Sequence, residues 1–151
     1  MTIKLAKTEK IHFIGIGGIG MSGLALIMKR KGFNVQGSDI SNNKNIERLK
    51  KNKIKVFIGH NKENIKNSSI IVISSAIKMN NPELKAAKKN NLPFYKRGEM
   101  LAHIVSLNKN IVVVGSHGKT TTTSLITSIF QNSKIDPTII NGGVINSLQN
   151  S

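Results

Sequence analysis

The sequence predicts an α/β protein: a doubly wound parallel sheet followed by the opening βα unit of a second, truncated α/β domain. Three observations carry this prediction. Short apolar runs alternate with helical spacing from residue 11 to about residue 107, the order that produces parallel sheets. Two glycine-rich turns each follow an apolar run and open a helix. The alternation breaks at Leu107-Asn108-Lys109-Asn110 and then restarts.

The elements follow in order. Ile11-His12-Phe13-Ile14 reads as a buried strand ending in Gly15. Residues 21–31 carry Leu24, Leu26, Ile27 and Met28 at helical spacing, and Gly32 stops that helix. Residues 34–39 read as a second strand with a polar end, 45–53 as a polar helix and 55–58 as a third strand. Ile70-Ile71-Val72-Ile73 is continuously β-branched, the mark of a parallel strand covered on both faces. Pro82 suits a first helical position before residues 83–89. A fifth strand is expected over 92–95 and a helix over 98–107. Beyond the break, the expected elements are a strand at 111–114, a helix over 119–131, a strand at 138–140 and a turn at Asn141-Gly142-Gly143. The domains are therefore placed at 1–107 and 108–151. The second stretch has too few strands to close a sheet, so a fragment of a longer protein is expected.

Composition narrows the classes. The chain has 151 residues, 38% of them hydrophobic before its 13 glycines are counted, enough for a core. Only 4% is aromatic, so Ile, Val, Leu and Met must build that core. The net charge of +16 would suit nucleic acid, but of the 23 basic residues only Arg30, Arg48 and Arg97 are arginines. The lysines sit among Asn and Ile, as in Lys50-Lys51-Asn52-Lys53-Ile54-Lys55, which reads as a solvated surface. No nucleic-acid partner is expected. There is no cysteine for a disulfide or thiolate site, and no apolar run approaches the ~20 residues of a membrane span. A cytoplasmic protein is expected.

Gly15-Ile16-Gly17-Gly18-Ile19-Gly20 satisfies G-x-G-x-x-G between a strand and a helix, which makes the first domain Rossmann-like. Gly15 permits the tight turn, Gly17 lets the backbone approach a diphosphate, and Gly20 allows close helix–strand packing. The helix N-terminus adds unpaired amides and a partial positive charge. Asp39 ends the second strand 19 residues later, where an acid can meet a ribose hydroxyl. NAD and a UDP-sugar present the same diphosphate, so both stay open on these residues.

Gly115-Ser116-His117-Gly118-Lys119-Thr120-Thr121 is a second phosphate loop. Backbone amides would cradle phosphates, Lys119 would neutralise the β/γ-phosphates, and Thr120 would present a hydroxyl to Mg²⁺. Only Ser116 and His117 separate Gly115 from Gly118, where the common P-loop has four residues, which argues against a GTPase or ordinary kinase.

Gly-Ser-His-Gly-Lys-Thr-Thr-Thr from residue 115 resembles the ATP loop of the Mur ligases, which add amino acids to peptidoglycan precursors. Residues 15–23, Gly37-Ser38-Asp39, Gly59-His60, Ser74-Ser75-Ala76-Ile77, Asn81-Pro82-Glu83, Arg97-Gly98-Glu99-Met100-Leu101 and Asn141-Gly142-Gly143 are similar to further motifs of that family, in the same order. Ser116 and Gly98 depart from the family's usual Thr and Ala.

The resemblance implies ATP and Mg²⁺ as cofactors, and UDP-N-acetylmuramate and L-alanine as substrates. The sugar's carboxylate would be phosphorylated to an acyl phosphate, and the amine would displace phosphate. It implies Gly115, Ser116, His117, Gly118, Lys119, Thr120 and Thr121 for ATP, with Lys119 and Thr120 catalytic and Thr120 on the metal. Gly17, Gly18, Ile19, Gly20 and Met21 would hold the UDP diphosphate, and Asp39, His60, Ser74, Ser75, Ala76 and Arg97 the rest of the nucleotide. Asn141, Gly142 and Gly143 would approach the muramyl sugar. The family's acidic metal ligands and its C-terminal amino-acid domain fall outside these residues, so the chain alone is expected to be inactive. An NAD-dependent oxidoreductase and a non-catalytic UDP-sugar sensor are the competing readings.

Overall fold

In the computed structural model, residues 5–131, 133, 137–141 and 144–147 are described. They fall into two compact units, Met1–Asn108 and Lys109–Ser151.

The first unit is built on five parallel strands: β1 (Lys10–Ile14), β2 (Asn34–Asp39), β3 (Lys55–Ile58), β4 (Ile70–Ile73) and β5 (Phe94–Lys96). Their order is β3-β2-β1-β4-β5, with β1 central. In such a sheet the connections turn opposite ways on either side of β1, which opens a crevice at the strands' C-terminal ends beside β1 and β4. Helices α1 (Ile19–Arg30), α2 (Lys44–Lys51), α3 (Pro82–Lys89) and α4 (Arg97–Ser106) cover the sheet. Helix α1 packs with α2 and α4, while α3 packs with a 3₁₀ turn over Lys62–Ile65.

The continuous apolar runs are explained by this cover. Ile11, Phe13 and Ile14 of β1 and Ile71 and Val72 of β4 are wholly buried. Ile14, Ile71 and Ile73 pack with Ile65, Leu84 and Ala87 in one cluster under α3. Each fully buried Ile or Leu side chain there contributes about 1.5–3 kcal/mol through removal from water. Local signals set the helix starts. The Asn43 side chain accepts from Ile46 N–H at 3.1 Å, and Asn81 Oδ1 accepts from Glu83 and Leu84 N–H ahead of Pro82. Helix α4 begins with Glu99 reaching back to the Lys96 amide at 2.6 Å. The observed helices begin up to two residues before the expected starts, because the first turn holds glycine or polar residues that carry no apolar period.

The second unit contains α5 (Lys119–Gln131) and an antiparallel pair, β6 (Thr138–Asn141) with β7 (Val144–Ser147). The strand expected at 111–114 is not formed, which corrects the expected βα unit. Those residues lie outside any strand, and Ile111, Val112 and Val114 are exposed. A β-branched run becomes a strand only when a neighbour completes its hydrogen bonds, and none of the described strands does so. The expected 138–140 strand is present, and β7 beside it is an element the sequence reading missed.

Candidate functional site

The first glycine turn links β1 to α1. Gly15 adopts φ +80, a conformation that side-chain-bearing residues rarely take. The amides of Gly15 and Ile16 both donate to the Ser38 carbonyl of β2, at 2.8 and 2.9 Å. The Gly17 amide donates to Asp39 Oδ2 at 2.8 Å. The Gly17 carbonyl accepts from Asn45 Nδ2 at 2.8 Å and Asn43 Nδ2 at 3.4 Å. The loop is thus pinned at both polar groups of Gly17, by the end of β2 and the start of α2. A Cβ on Gly17 would lie 2.9 Å from both Asp39 Oδ2 and the Ile46 methyl, so the pin requires glycine.

Helix α1 starts at Ile19 behind Gly18, with no side-chain cap and no acid in its first turn. The amides of Ile19, Gly20 and Met21 therefore have no intrahelical partner and face an anion-attracting helix end. Gly20 differs from its expected role of easing helix–strand packing. A Cβ there would sit 2.7 Å from Arg97 Nη1, so Gly20 makes room for a guanidinium delivered by the start of α4.

Beside this turn lies a cavity of about 600 Å³, lined by residues from the ends of β1, β2, β3 and β4. Of the expected residues it gathers Gly17, Gly18, Asp39, His60, Ser74 and Ala76. Ile19, Gly20, Met21, Ser75 and Arg97 are outside its lining. Sequence reasoning missed Ser41, Asn43, Lys78, Asn80 and Asn81 in its wall. Polar residues at helix starts look like caps, so only their placement reveals them. Asp39 is also engaged through Oδ1, which accepts from the Ser41 amide at 3.1 Å and its hydroxyl at 3.2 Å.

A buried polar network backs the cavity. Glu83, fully buried on α3, accepts from Ser38 Oγ at 2.5 Å and from Asn64 Nδ2 at 2.5 Å, and the Asn61 amide lies 3.4 Å away. His60 Nδ1 is 3.0 Å from Glu83 Oε2. On the far side, buried His12 turns Nε2 towards Glu83 at 3.7 Å, which is beyond hydrogen-bond range, and that nitrogen has no other partner among the described residues. His12 Nδ1 is 3.2 Å from Gln36 Nε2. Burial alone pushes the Glu83 carboxyl up, but His12, Ser38 and Asn64 together outweigh it and hold the group below the ordinary carboxylate value.

The second glycine turn is exposed throughout residues 115–121. Gly118 adopts φ +75, and the Thr122 amide closes onto its carbonyl at 2.9 Å. Lys119 Nζ folds over the loop, donating to the carbonyls of Gly115 at 2.5 Å and Ser116 at 3.1 Å. Thr123, Ser124, Thr127 and Ser128 return their hydroxyls to carbonyls four residues earlier. The hydroxyls of Thr120 and Thr121 have no partner among the described residues. Asn141 Nδ2 reaches the Thr120 carbonyl at 3.5 Å. Gly142 and Gly143 lie outside the described residues. Among the described residues, no group of three or more His, Cys, Asp or Glu side chains could hold a metal ion. No helix among them is long and apolar enough to cross a membrane.

The family model for the Mur ligase family, catalytic domain, matches residues 10–109. The chain belongs to the Mur ligase family. Among its Mur ligase relatives, UDP-N-acetylmuramate–L-alanine ligase of Pelagibacter ubique is 74% identical over 151 residues, covering 100% of this chain and 32% of that protein. The Mur ligase MurC of Thermotoga maritima, a UDP-N-acetylmuramate-alanine ligase, superposes with a TM-score of 0.79 at 32% identity, covering 88% of this chain and 31% of that one. A UDP-N-acetylmuramate:L-alanyl-gamma-D-glutamyl-meso-diaminopimelate ligase from Neisseria meningitides gives a TM-score of 0.80 at 29% identity, covering 92% of this chain and 46% of that one. The chain thus spans about a third of the length of the Pelagibacter relative.

Proposed function

We propose that this Mur ligase chain is the nucleotide-sugar-binding part, with the start of the ATP-binding part, of a ligase joining L-alanine to the carboxylate of UDP-N-acetylmuramate. The observation that carries the reading is the run of unpaired amides at Ile19, Gly20 and Met21, flanked by the Arg97 guanidinium and opening beside a cavity of nucleoside size. The 74% identity to an alanine-adding ligase supports the choice of substrate.

In this reading those amides and Arg97 hold the diphosphate, because both concentrate positive potential where no side chain competes. Gly17 contributes through its fixed backbone, since its own amide is engaged by Asp39. Asp39, His60, Ser74 and Ala76 line the nucleoside cavity, and exposed Ser75 keeps its assignment to the nucleotide from the sequence motif alone. Gly115, Ser116, His117, Gly118 and Thr121 surround the ATP phosphates, and Lys119 exchanges its loop carbonyls for phosphate oxygens. The unpartnered hydroxyl of Thr120 fits a place on Mg²⁺. That ion would supply charge neutralisation as the γ-phosphoryl group passes to the muramyl carboxylate. L-Alanine's amine then displaces phosphate from the resulting acyl phosphate. Asn141 would serve the muramyl end, a role the Asn-Gly-Gly motif also gives to Gly142 and Gly143 outside the described residues, and a cytoplasmic location follows from these soluble substrates. The remaining length of such a ligase is expected to bring the acidic metal ligands and the amino-acid site.

Calorimetry on the 151-residue chain tests the reading. UDP-N-acetylmuramate should bind more tightly than NAD. The opposite order would return the chain to the oxidoreductase reading, which the ligase relatives disfavour.

A further inference from the structure

His60 reaches the nucleoside cavity from the end of β3, and its ring is held from behind by a residue that does not itself line the cavity. The proton arrangement around its Nδ1 is determined by counting donors. Ser38 Oγ lies 3.1 Å from His60 Nδ1 and 2.5 Å from Glu83 Oε2. A hydroxyl has one proton, and the shorter contact to the buried carboxylate takes it. An unprotonated Nδ1 would then face lone pairs from both Glu83 Oε2 and Ser38 Oγ. The imidazole therefore carries its hydrogen on Nδ1 and donates it to Glu83 at 3.0 Å. In a neutral ring this leaves Nε2 as an acceptor, and among the described residues nothing donates to it. The same logic orients metal-binding and catalytic imidazoles through a carboxylate behind them.

Resting on the nucleotide reading above, we propose that Glu83 is a positioning residue: it fixes His60 so that Nε2 meets the cavity as an acceptor for a donor group of uridine, the uracil N3–H or a ribose hydroxyl. The arrangement around Glu83 makes this specific. Oε1 is held by Asn64 Nδ2 and approached by the Asn61 amide, both donors, while Oε2 faces Ser38 and His60 within hydrogen-bond range and His12 Nε2 beyond it, at 3.7 Å. In Glu83→Gln the amide oxygen must occupy the Oε1 position, because only an acceptor suits Asn64. The amide NH₂ then points at His60 Nδ1, which becomes an acceptor, and the ring's hydrogen moves to Nε2. One isosteric change reverses the polarity of the atom offered to the ligand.

Long-range ¹H–¹⁵N spectra of the imidazoles, recorded on the 151-residue chain at pH 9, test this. His60→Gln assigns the signals. The wild-type ring should be the Nδ1–H tautomer, and adding UDP should shift its Nε2 resonance upfield. Glu83→Gln should show the Nε2–H tautomer and bind UDP about tenfold more weakly or worse. Loss of a UDP-over-CDP preference in the variant assigns the contact to N3–H, because cytosine N3 accepts; equal losses for both assign it to the ribose. An Nε2–H ring in the wild type overturns the proposal, and that measurement needs no folded variant. So does a Glu83→Gln protein that keeps its tautomer, or one that changes it with UDP affinity intact. If UDP fails to bind the wild-type chain, the nucleotide reading and the ligand half of the proposal fall together, while the tautomer still decides the role of Glu83.

Discussion

The Gly17 amide and the Asp39 carboxylate are joined by a buried 2.8 Å hydrogen bond, so the acid at the end of β2 holds the glycine loop directly. Oδ1 of the same carboxylate holds the Ser41 amide. Asp39→Ala would leave the Gly17 amide buried without a partner. The expected loss is about 1–3 kcal/mol of stability, read by urea unfolding of the chain at pH 7, together with weaker UDP binding. Unchanged stability would show that the loop does not depend on this bond.

Gly20→Ala separates stability from binding. Alanine suits the first turn of a helix better than glycine, so unfolding should be unaffected or up to about 1 kcal/mol harder. The new Cβ displaces the flexible end of Arg97, which it would otherwise meet at 2.7 Å, and diphosphate affinity should fall. In an Arg97→Ala background the same substitution should have no further effect on UDP affinity. A full additional loss there would mean that Gly20 acts on the ligand without Arg97.

Lys119→Ala, placed in a full-length ligase carrying this segment, should lower turnover about 10²–10³-fold, the scale of losing one charge-stabilising group at the transition state. The substitution should barely change stability, since Lys119 is exposed. Steady-state kinetics with ATP and the sugar nucleotide would check the first half and urea unfolding the second, and undiminished turnover would remove Lys119 from the phosphate site.

Acid stability should report on Glu83. Its folded pKa lies below the reference value of 4.5, so it stabilises the fold above that pH and loses the contribution as pH falls through the lowered native value. Stability of the wild-type chain should therefore decline on acidification from about pH 4.5 downwards. Glu83→Gln should be less stable at pH 7 and show a flatter acid limb. Parallel acid limbs in urea unfolding would assign the decline to other groups.

Much of the first unit was legible because its central strands are covered on both faces. Runs such as Ile70–Ile73 then show as uninterrupted apolar stretches, and glycines and asparagines mark the ends. The same rule misled at 111–114, where an equally β-branched run pairs with none of the described strands. Asp39 was readable as an acid closing a strand, but its bond to Gly17 spans 22 residues and has no local signature. Glu83 was harder still. Behind Asn81-Pro82 it looks like an ordinary acid in a helix's first turn, and only its contacts with Ser38, His60 and Asn64 show what it organises.

The exposure of Ile111, Val112 and Val114 has a practical corollary for handling this chain. Exposed β-branched residues outside any sheet leave backbone N–H and C=O groups open to pairing between molecules. What keeps copies apart is the mutual repulsion of a surface carrying a net charge of +16. Solubility should thus be greatest in dilute buffer and collapse as added salt shortens the reach of that repulsion.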